Sequence, residues 1–414
     1  MKLRTIIIWL LCPFAAFAQS QSQPLTMEQA VQLALQQNKG LKSADASVAY
    51  YRDITKTSAE LPKMQLGLQY GQVNSYIKND NNYSITQTIP FPSVFGAKKA
   101  LNEAQVEKAV WEKATTQQEL VYQVKQVYVQ LLYQHELHGL LMQQDSLFTS
   151  FARSADLRYK TGESRLLEKT AAEGRLQDVR NQLRQNDADQ QIFMSRLQAL
   201  TGSDTAITIV TTEIPVGNTV LANDSLAVEN NPRLRYFKQQ VTIAEKQKKV
   251  FSASILPDIT LGYFNQSLIG SALNASGMPL ATNSNRFQGF HVGLAIPVWL
   301  GPMKARVRAE EQQQLAAGLY YDNSVIQLQS QYQQAVQQYI KQRNSLDYYH
   351  QTALPNADQL LQQTAKAFTT GDIGYAEYFL NLEHVMTTRQ GYLSARTDAR
   401  QAELYIAYLA GHQL

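Results

Sequence analysis

The apolar positions of this 414-residue chain switch from helical spacing to period two and back again, and they do so twice. Thr26-Met27-Glu28-Gln29 has the spacing of a capping box, in which Gln29 returns a bond to the Thr26 backbone. It predicts an amphipathic helix from there to about Ala59, stopped by Leu61-Pro62. Met64, Leu66, Leu68 and Tyr70 then alternate with Gln65, Gly67 and Gln69, and Tyr83, Ile85, Gln87 and Ile89 alternate with Ser84, Thr86 and Thr88. Further on, Ile259, Leu261 and Tyr263 alternate with Asp258, Thr260 and Gly262, and Phe290, Val292, Leu294 and Ile296 with His291, Gly293 and Ala295. These are four strands, each with one apolar and one small or polar face. The links between them are turn-rich: Lys78-Asn79-Asp80-Asn81-Asn82 in the first hairpin and an Asn/Ser/Gly stretch at 265–286 in the second.

After each strand pair the spacing becomes three, four, three, four. Leu120, Val124, Val127, Leu131, Gln134, His138 and Leu141 carry it in the first copy. Val325, Leu328, Tyr332, Ala335, Tyr339, Gln342, Leu346 and Tyr349 carry it in the second. Spacing sustained this long predicts coiled-coil packing. No proline interrupts the run from Pro92 to Gly162, whereas Pro355 predicts a kink or bend in its counterpart. Gly162 and Gly371 are then turn glycines, followed by helices that end at Gly202 and Gly411. Ile89-Pro90 recurs as Ile296-Pro297, and Leu200-Thr201-Gly202 as Leu409-Ala410-Gly411. A duplication on this scale sets the architecture. Residues 19–202 form the first repeat, with a hairpin at about 63–89 and a tip near 162. Residues 223–414 form the second, with Asp224 as the first helix cap, a hairpin at about 258–297 and a tip near 371. Between them, 203–222 is an irregular linker, expected to make a small belt with the termini.

Composition narrows the class. Lys2 and Arg4, the apolar run Ile6–Leu11 and Ala16-Phe17-Ala18 make residues 1–18 a secretory signal peptide. The run is too short to anchor the chain across a bilayer. Cys12 lies inside the signal segment, next to Pro13, so the mature chain has no thiol for a disulfide or a metal. Without Lys2 and Arg4 the formal charge falls from +4 to +2, too little to imply a nucleic-acid partner. In a secreted chain, strands of about ten residues with dyad alternation match transmembrane β-strands as well as soluble hairpins. Four strands cannot close a barrel, and an open edge in lipid would strand backbone groups. Three copies would supply twelve strands.

Catalytic constellations are scarce. There is no phosphate loop and no nucleophile elbow. In His135-Glu136-Leu137-His138 the histidines are three apart, the wrong frame for a zinc-protease helix. Asp80 and its Asn neighbours lack the acids and the glycine of a calcium loop, so a solvated turn is expected there. No catalytic residue, cofactor or metal ligand is assigned. The helix tips concentrate the remaining interest: Tyr159, Gly162, Glu163 and Ser164 in the first, and Phe368, Gly371, Asp372 and Ile373 in the second. The ordinary reading of each is a turn glycine with an aromatic that packs it. Glu168 and Glu377 each lie six residues past the glycine, so a trimer would set six carboxylates around one mouth, a ring that favours cations or closes through paired basic residues.

In this order, twice, with this spacing, the pattern resembles the TolC family of outer-membrane efflux proteins. The resemblance covers the whole mature chain. It rests on Leu25-Thr26, on Asn38 and Asn231-Pro232 opening the next helical stretches, on Leu61-Pro62 and Leu256-Pro257 before the strands, on Ile89-Pro90 and Ile296-Pro297 after them, and on the aromatic-x-x-Gly tips. It implies a mainly α fold with a small β part: a trimeric twelve-stranded barrel in the outer membrane, continued by an α-helical barrel through the periplasm. It implies helix tips that dock a periplasmic adaptor, itself bound to a proton-driven inner-membrane pump. Gly162 and Gly371 match the family's tip glycines, and Glu168 and Glu377 sit where the family often has Asp at the constricted end. A further acid common in the second copy is replaced near Leu380-Asn381, and the lipidated cysteine of many relatives is missing. The stretches Gln69-Tyr70-Gly71-Gln72 and Gln87-Thr88-Ile89-Pro90-Phe91-Pro92 look most like outer components of cobalt–zinc–cadmium efflux systems. The function expected is a passive exit duct for small toxic solutes, heavy-metal cations among them. A duct for type I protein secretion and a secreted coiled-coil scaffold are the competing readings.

Overall fold

The structure is a computed structural model that describes residues 24–72, 78–203, 207–212, 228–267, 275–277 and 286–411. The signal peptide with Cys12, the Asp224 cap and most of the 265–286 loop lie outside the described residues.

The first helical stretch is two helices, α1 (Met27–Gln37) and α2 (Lys39–Lys56). The capping box forms as the spacing dictates, Gln29 N–H donating to Thr26 Oγ1 at 3.2 Å and Thr26 N–H to Gln29 Oε1 at 2.8 Å. The expected single helix to Ala59 is broken at Asn38, whose backbone leaves helical geometry (ψ 123°). Its side chain accepts from Leu41 N–H at 3.0 Å and donates to the Leu200 carbonyl at 2.8 Å. Asn is a good N-cap, and here the second bond ties the cap to a helix end 162 residues away.

Strands β1 (Gln65–Gly71), β2 (Asp80–Ile89), β3 (Asp258–Gln266) and β4 (Phe287–Ala295) form one antiparallel sheet in the order β1-β2-β3-β4. The two hairpins join through β2 and β3, with Ile89 opposite Ile259 and Asn82 opposite Gln266. β1 and β4 are left as open edges. The solvated turn expected at Asp80 is corrected. Asp80 opens β2, is fully buried, and accepts a hydrogen bond from Ser267 Oγ at 3.0 Å. Pairing across the hairpins brings Ser267 to it, a contact that local turn chemistry cannot foresee.

From the sheet, α3 (Pro92–Lys160) runs 69 residues without a break, roughly 100 Å at 1.5 Å per residue. α4 (Leu166–Thr201) returns along it. The second copy follows the same path: α5 (Pro232–Ala253) leads to the sheet, α6 (Leu300–Tyr348) and α7 (Leu354–Thr370) lead away, and α8 (Tyr375–Leu409) returns. Of the expected seam, Leu120, Val124, Val127, Leu131, Gln134 and Leu141 are buried, as are Leu328, Tyr332, Ala335, Tyr339 and Leu346. Val325, Gln342 and Tyr349 are only half-buried, and so is His138, which lies 3.3 Å from Asp187.

Pro355 leaves the chain helical. The turn before it, Tyr349–Ala353, widens to a π-helix and passes directly into α7. Proline lacks an N–H and its ring crowds the carbonyl four residues back, and a wider turn relieves both. Gly391 on α8 makes room there, since a Cβ on it would come within 2.7 Å of Tyr349 Cζ.

The core is divided along the rod. A middle cluster joins α1, α3 and α4, where Leu25 pairs with Ile209 and the Tyr128 hydroxyl reaches the Leu25 and Val210 carbonyls at 2.9 and 3.0 Å. A second cluster joins α5, α6 and the end of α8, and a third lies near the tips. At mid-height one arrangement occurs twice. Asn231 caps α5 and donates to the Leu409 carbonyl at 3.0 Å, as Asn38 does to Leu200. Gly202 and Gly411, both with positive φ, lie so close to the Gln37–Asn38 and Asn230–Asn231 backbones that a Cβ would come within 3.0 Å of each. The motifs that stood far apart in the sequence are in contact in the fold.

Candidate functional site

Two regions qualify: the tips, where the helices turn, and the sheet, which ends the rod. Both tips close with the same hydrogen bonds. Glu163 N–H reaches the Arg158 carbonyl at 2.8 Å and Gly162 N–H the Tyr159 carbonyl at 3.1 Å. Asp372 N–H reaches Ala367 at 2.9 Å and Gly371 N–H Phe368 at 3.3 Å. This is the Schellman turn, which needs a left-handed residue, and Gly162 and Gly371 have φ of 80° and 81°.

The aromatics of the two tips behave differently. Tyr159 stays 40% exposed with the Lys169 ammonium 5.5 Å above its ring. Phe368 stacks on Tyr378 at 4.5 Å between centroids. Ser164 Oγ is buried and finds no partner within the described chain, and Ile373 is half-buried. Asp372 accepts from Thr370 Oγ1 at 2.6 Å, and Glu163 is exposed. Glu168 and Glu377 are placed unequally. Glu168, in the first turn of α4, is half-buried and near enough to Tyr375 for its charge to act on the phenol; Glu377, in the first turn of α8, faces solvent.

Sequence reasoning missed the group that locks one tip to the other. Phe151 stacks on Tyr375 at 4.1 Å and lies 5.4 Å from Phe379, while Phe148 is fully buried beside them. The Tyr375 hydroxyl donates to the Phe151 carbonyl at 3.1 Å. Burial pushes the Tyr375 phenol above its ordinary range, and the charge of Glu168 pushes it further. Arg175 stands over Phe148 and pairs with Glu383 at 3.4 Å, an ion pair without an aligned hydrogen bond, joining α4 to α8. Lys160 and Lys169 both lie 2.7 Å from Asp156 and hold its carboxyl below the usual carboxylate range, closing the first tip. The available signal was the spacing of Tyr375, Tyr378 and Phe379 just past Gly371, facing Phe148 and Phe151.

The sheet has two unlike faces. Register puts Leu66, Leu68 and Tyr70 with Tyr83, Ile85, Leu261, Phe290, Val292 and Leu294 on one side. These large apolar side chains are exposed, Phe290 at 85%. Polar and small residues predominate on the other side, among them Gln65, Ser84, Thr86, Thr260 and His291, with Phe264 and Phe287 as its large apolar members. An exposed apolar face of this size with two open edges suits lipid and further strands. Among the described residues no helix is long and apolar enough to cross a membrane, and no three of His, Cys, Asp and Glu converge as metal ligands. Glu136 pairs with Arg396 instead of joining His135 and His138.

The model of the outer membrane efflux protein family matches residues 30–203 and 224–412. The chain belongs to that family. No curated protein sequence matches it. Among solved structures, it is similar to the outer-membrane channel OprN (TM-score 0.78, 16% identity, covering 93% of this chain and 89% of that one). It is similar to CusC (TM-score 0.76, 16% identity, covering 94% and 93%) and to VceC from Vibrio cholerae (TM-score 0.74, 14% identity, covering 93% and 96%). At such identities these structures bear on the fold, which they share end to end. As an outer membrane efflux protein, the chain is a channel component of the outer membrane with a long periplasmic helical part, and it is not an enzyme.

Proposed function

We propose that the chain is the exit duct of a tripartite efflux system. Three copies close one twelve-stranded barrel, and their helices continue it as a periplasmic tube. The observation that carries this is the four-stranded sheet with an exposed apolar face and open edges at β1 and β4. Unpaired backbone groups in lipid cost several kcal/mol each, so the edges must meet strands of further copies. The duplicated halves, 19–202 and 223–414 about the 203–222 linker, give six pseudo-equivalent hairpins per trimer. Their tips, with Tyr159, Gly162, Glu163 and Ser164, and Phe368, Gly371, Asp372 and Ile373, form the surface for a periplasmic adaptor bound to a proton-driven inner-membrane pump. Glu168 and Glu377 line the periplasmic aperture, the exposed Glu377 contributing more to its field.

The cargo is small toxic solutes, with heavy-metal cations favoured by the likeness of the Gln69–Gln72 and Gln87–Pro92 stretches to outer components of cobalt–zinc–cadmium systems. The test is expression, together with the host's adjacent adaptor and pump, in a strain lacking its own exit duct. Restored resistance to cobalt, zinc or cadmium is expected. Restored secretion of a protein cargo without resistance would transfer the chain to the type I secretion reading.

A further inference from the structure

The inner face of the sheet carries an arrangement that neither the fold nor the tips require. Four of its glycines each lie directly across from a larger side chain: Gly67 from Ser84, Gly262 from His291, Gly289 from Phe264 and Gly293 from Thr260. At two of them the partner is a ring lying down over the glycine. A Cβ built on Gly262 would fall inside the imidazole of His291, only 2.7 Å from its Nδ1. A Cβ on Gly289 would come 2.9 Å from Phe264 Cζ and 3.0 Å from Cε1. Gly262 is buried although it faces the open side of the sheet, while the ring covering it is exposed. The two pairs are neighbours across the same two strands, so they form one patch midway along the wall.

Side chains on a strand ordinarily stand roughly perpendicular to the sheet. A ring lies flat only where its cross-strand neighbour has no Cβ. Rings of this kind also stabilise glycine-containing strands, and that is the ordinary reading of the patch. In a closed barrel the same geometry has a second effect. An upright imidazole and phenyl from each of three copies would point at the axis from two adjacent levels and narrow the bore. Lying on glycine, they leave it wide.

We infer that Gly262 and Gly289 set the size limit of the duct within the barrel, by letting His291 and Phe264 lie against the wall. This rests on the exit-duct reading, since the polar face must be the lumen. A β-carbon at either position would raise the ring into the bore and select against bulky cargo while still passing small ions.

The test uses the full-length protein on intact cells. Thr88 is on the same inner face, opposite Thr260 and nearer the helices than Gly262. Thr88→Cys supplies a thiol below the rings, and the mature chain is otherwise without cysteine. Labelling from outside with a small maleimide and then with maleimide-polyethylene glycols of increasing size gives an exclusion size. Failure of the small maleimide to label Thr88→Cys would sink the exit-duct reading itself. If it labels, Gly262→Val is expected to lower the exclusion size, and adding His291→Ala to Gly262→Val is expected to restore it. An exclusion size unmoved by Gly262→Val, with the small reagent still labelling, overturns the inference and leaves the duct intact. Should Gly262→Val fail to assemble, His291→Ala alone decides. A ring already flat leaves the exclusion size unchanged on removal, and a rise would show that it stands in the bore.

Discussion

Tyr375 ties the two tips together by one hydroxyl and one ring, and its chemistry gives a pH signature. Its phenol is raised above the ordinary value of 10.0 by burial and by Glu168. The folded state therefore holds the proton more tightly than the unfolded chain. The contribution of this tyrosine is complete below pH 10 and is lost as pH climbs from there toward the folded value. Tyr375→Phe removes the hydrogen bond to Phe151, at a cost of about 0.5–1.5 kcal/mol near neutrality. It also flattens the alkaline loss. Thermal unfolding of the detergent-solubilised protein, followed from neutral pH to above pH 10, checks both effects, and an unchanged alkaline limb in Tyr375→Phe would assign that limb elsewhere. At the same scale, Glu377→Gln is expected to lower the cation preference of single channels, because Glu377 is the more exposed of the two carboxylates proposed for the aperture. Unaltered selectivity would remove it from the aperture. The tip glycines were legible in the sequence because a left-handed turn demands one residue type. Tyr375 was not, because its partner lies 224 residues away on another helix. Asp80 misled for the same reason: its Asn neighbours signal a turn, and Ser267 from the other hairpin buries it.

The elements follow from periodicity. Heptad spacing held across α3 and α6, and the dyad alternation held in all four strands, because both rest on a face repeated many times over. Departures arise where one residue outweighs a local pattern. Asn38 splits the first helix because its amide serves a cap and a distant carbonyl together. The π turn before Pro355 answers a steric problem that sequence places at the proline and the backbone solves a turn earlier. His138 fits the seam by spacing and leaves it, pairing with Asp187 across α3 and α4. Asn38→Ala should destabilise the middle cluster by about 0.5–2 kcal/mol through the lost cap alone. Asn231→Ala should destabilise the cluster of α5, α6 and the end of α8 by a similar amount, given the repeated geometry. Thermal unfolding of the detergent-solubilised protein compares the two. A silent Asn38→Ala would mean that the chain break is dictated by neighbouring packing and not by the cap.

For the whole molecule, duplication is the decisive fact. Two hairpins pair through β2 and β3 into a sheet too narrow to close, and each hairpin continues into helices of matching length. The sequence showed four strands and their two faces, but the joining of the hairpins edge to edge is a long-range property that periodicity does not encode. An open sheet with one apolar face has a stable place only in lipid and in company. The most direct measurement of this account is the mass of the detergent-extracted protein, taken with its conductance in a planar bilayer. The account predicts a trimer that gives stable, cation-preferring single-channel steps. A water-soluble monomer without conductance would contradict it.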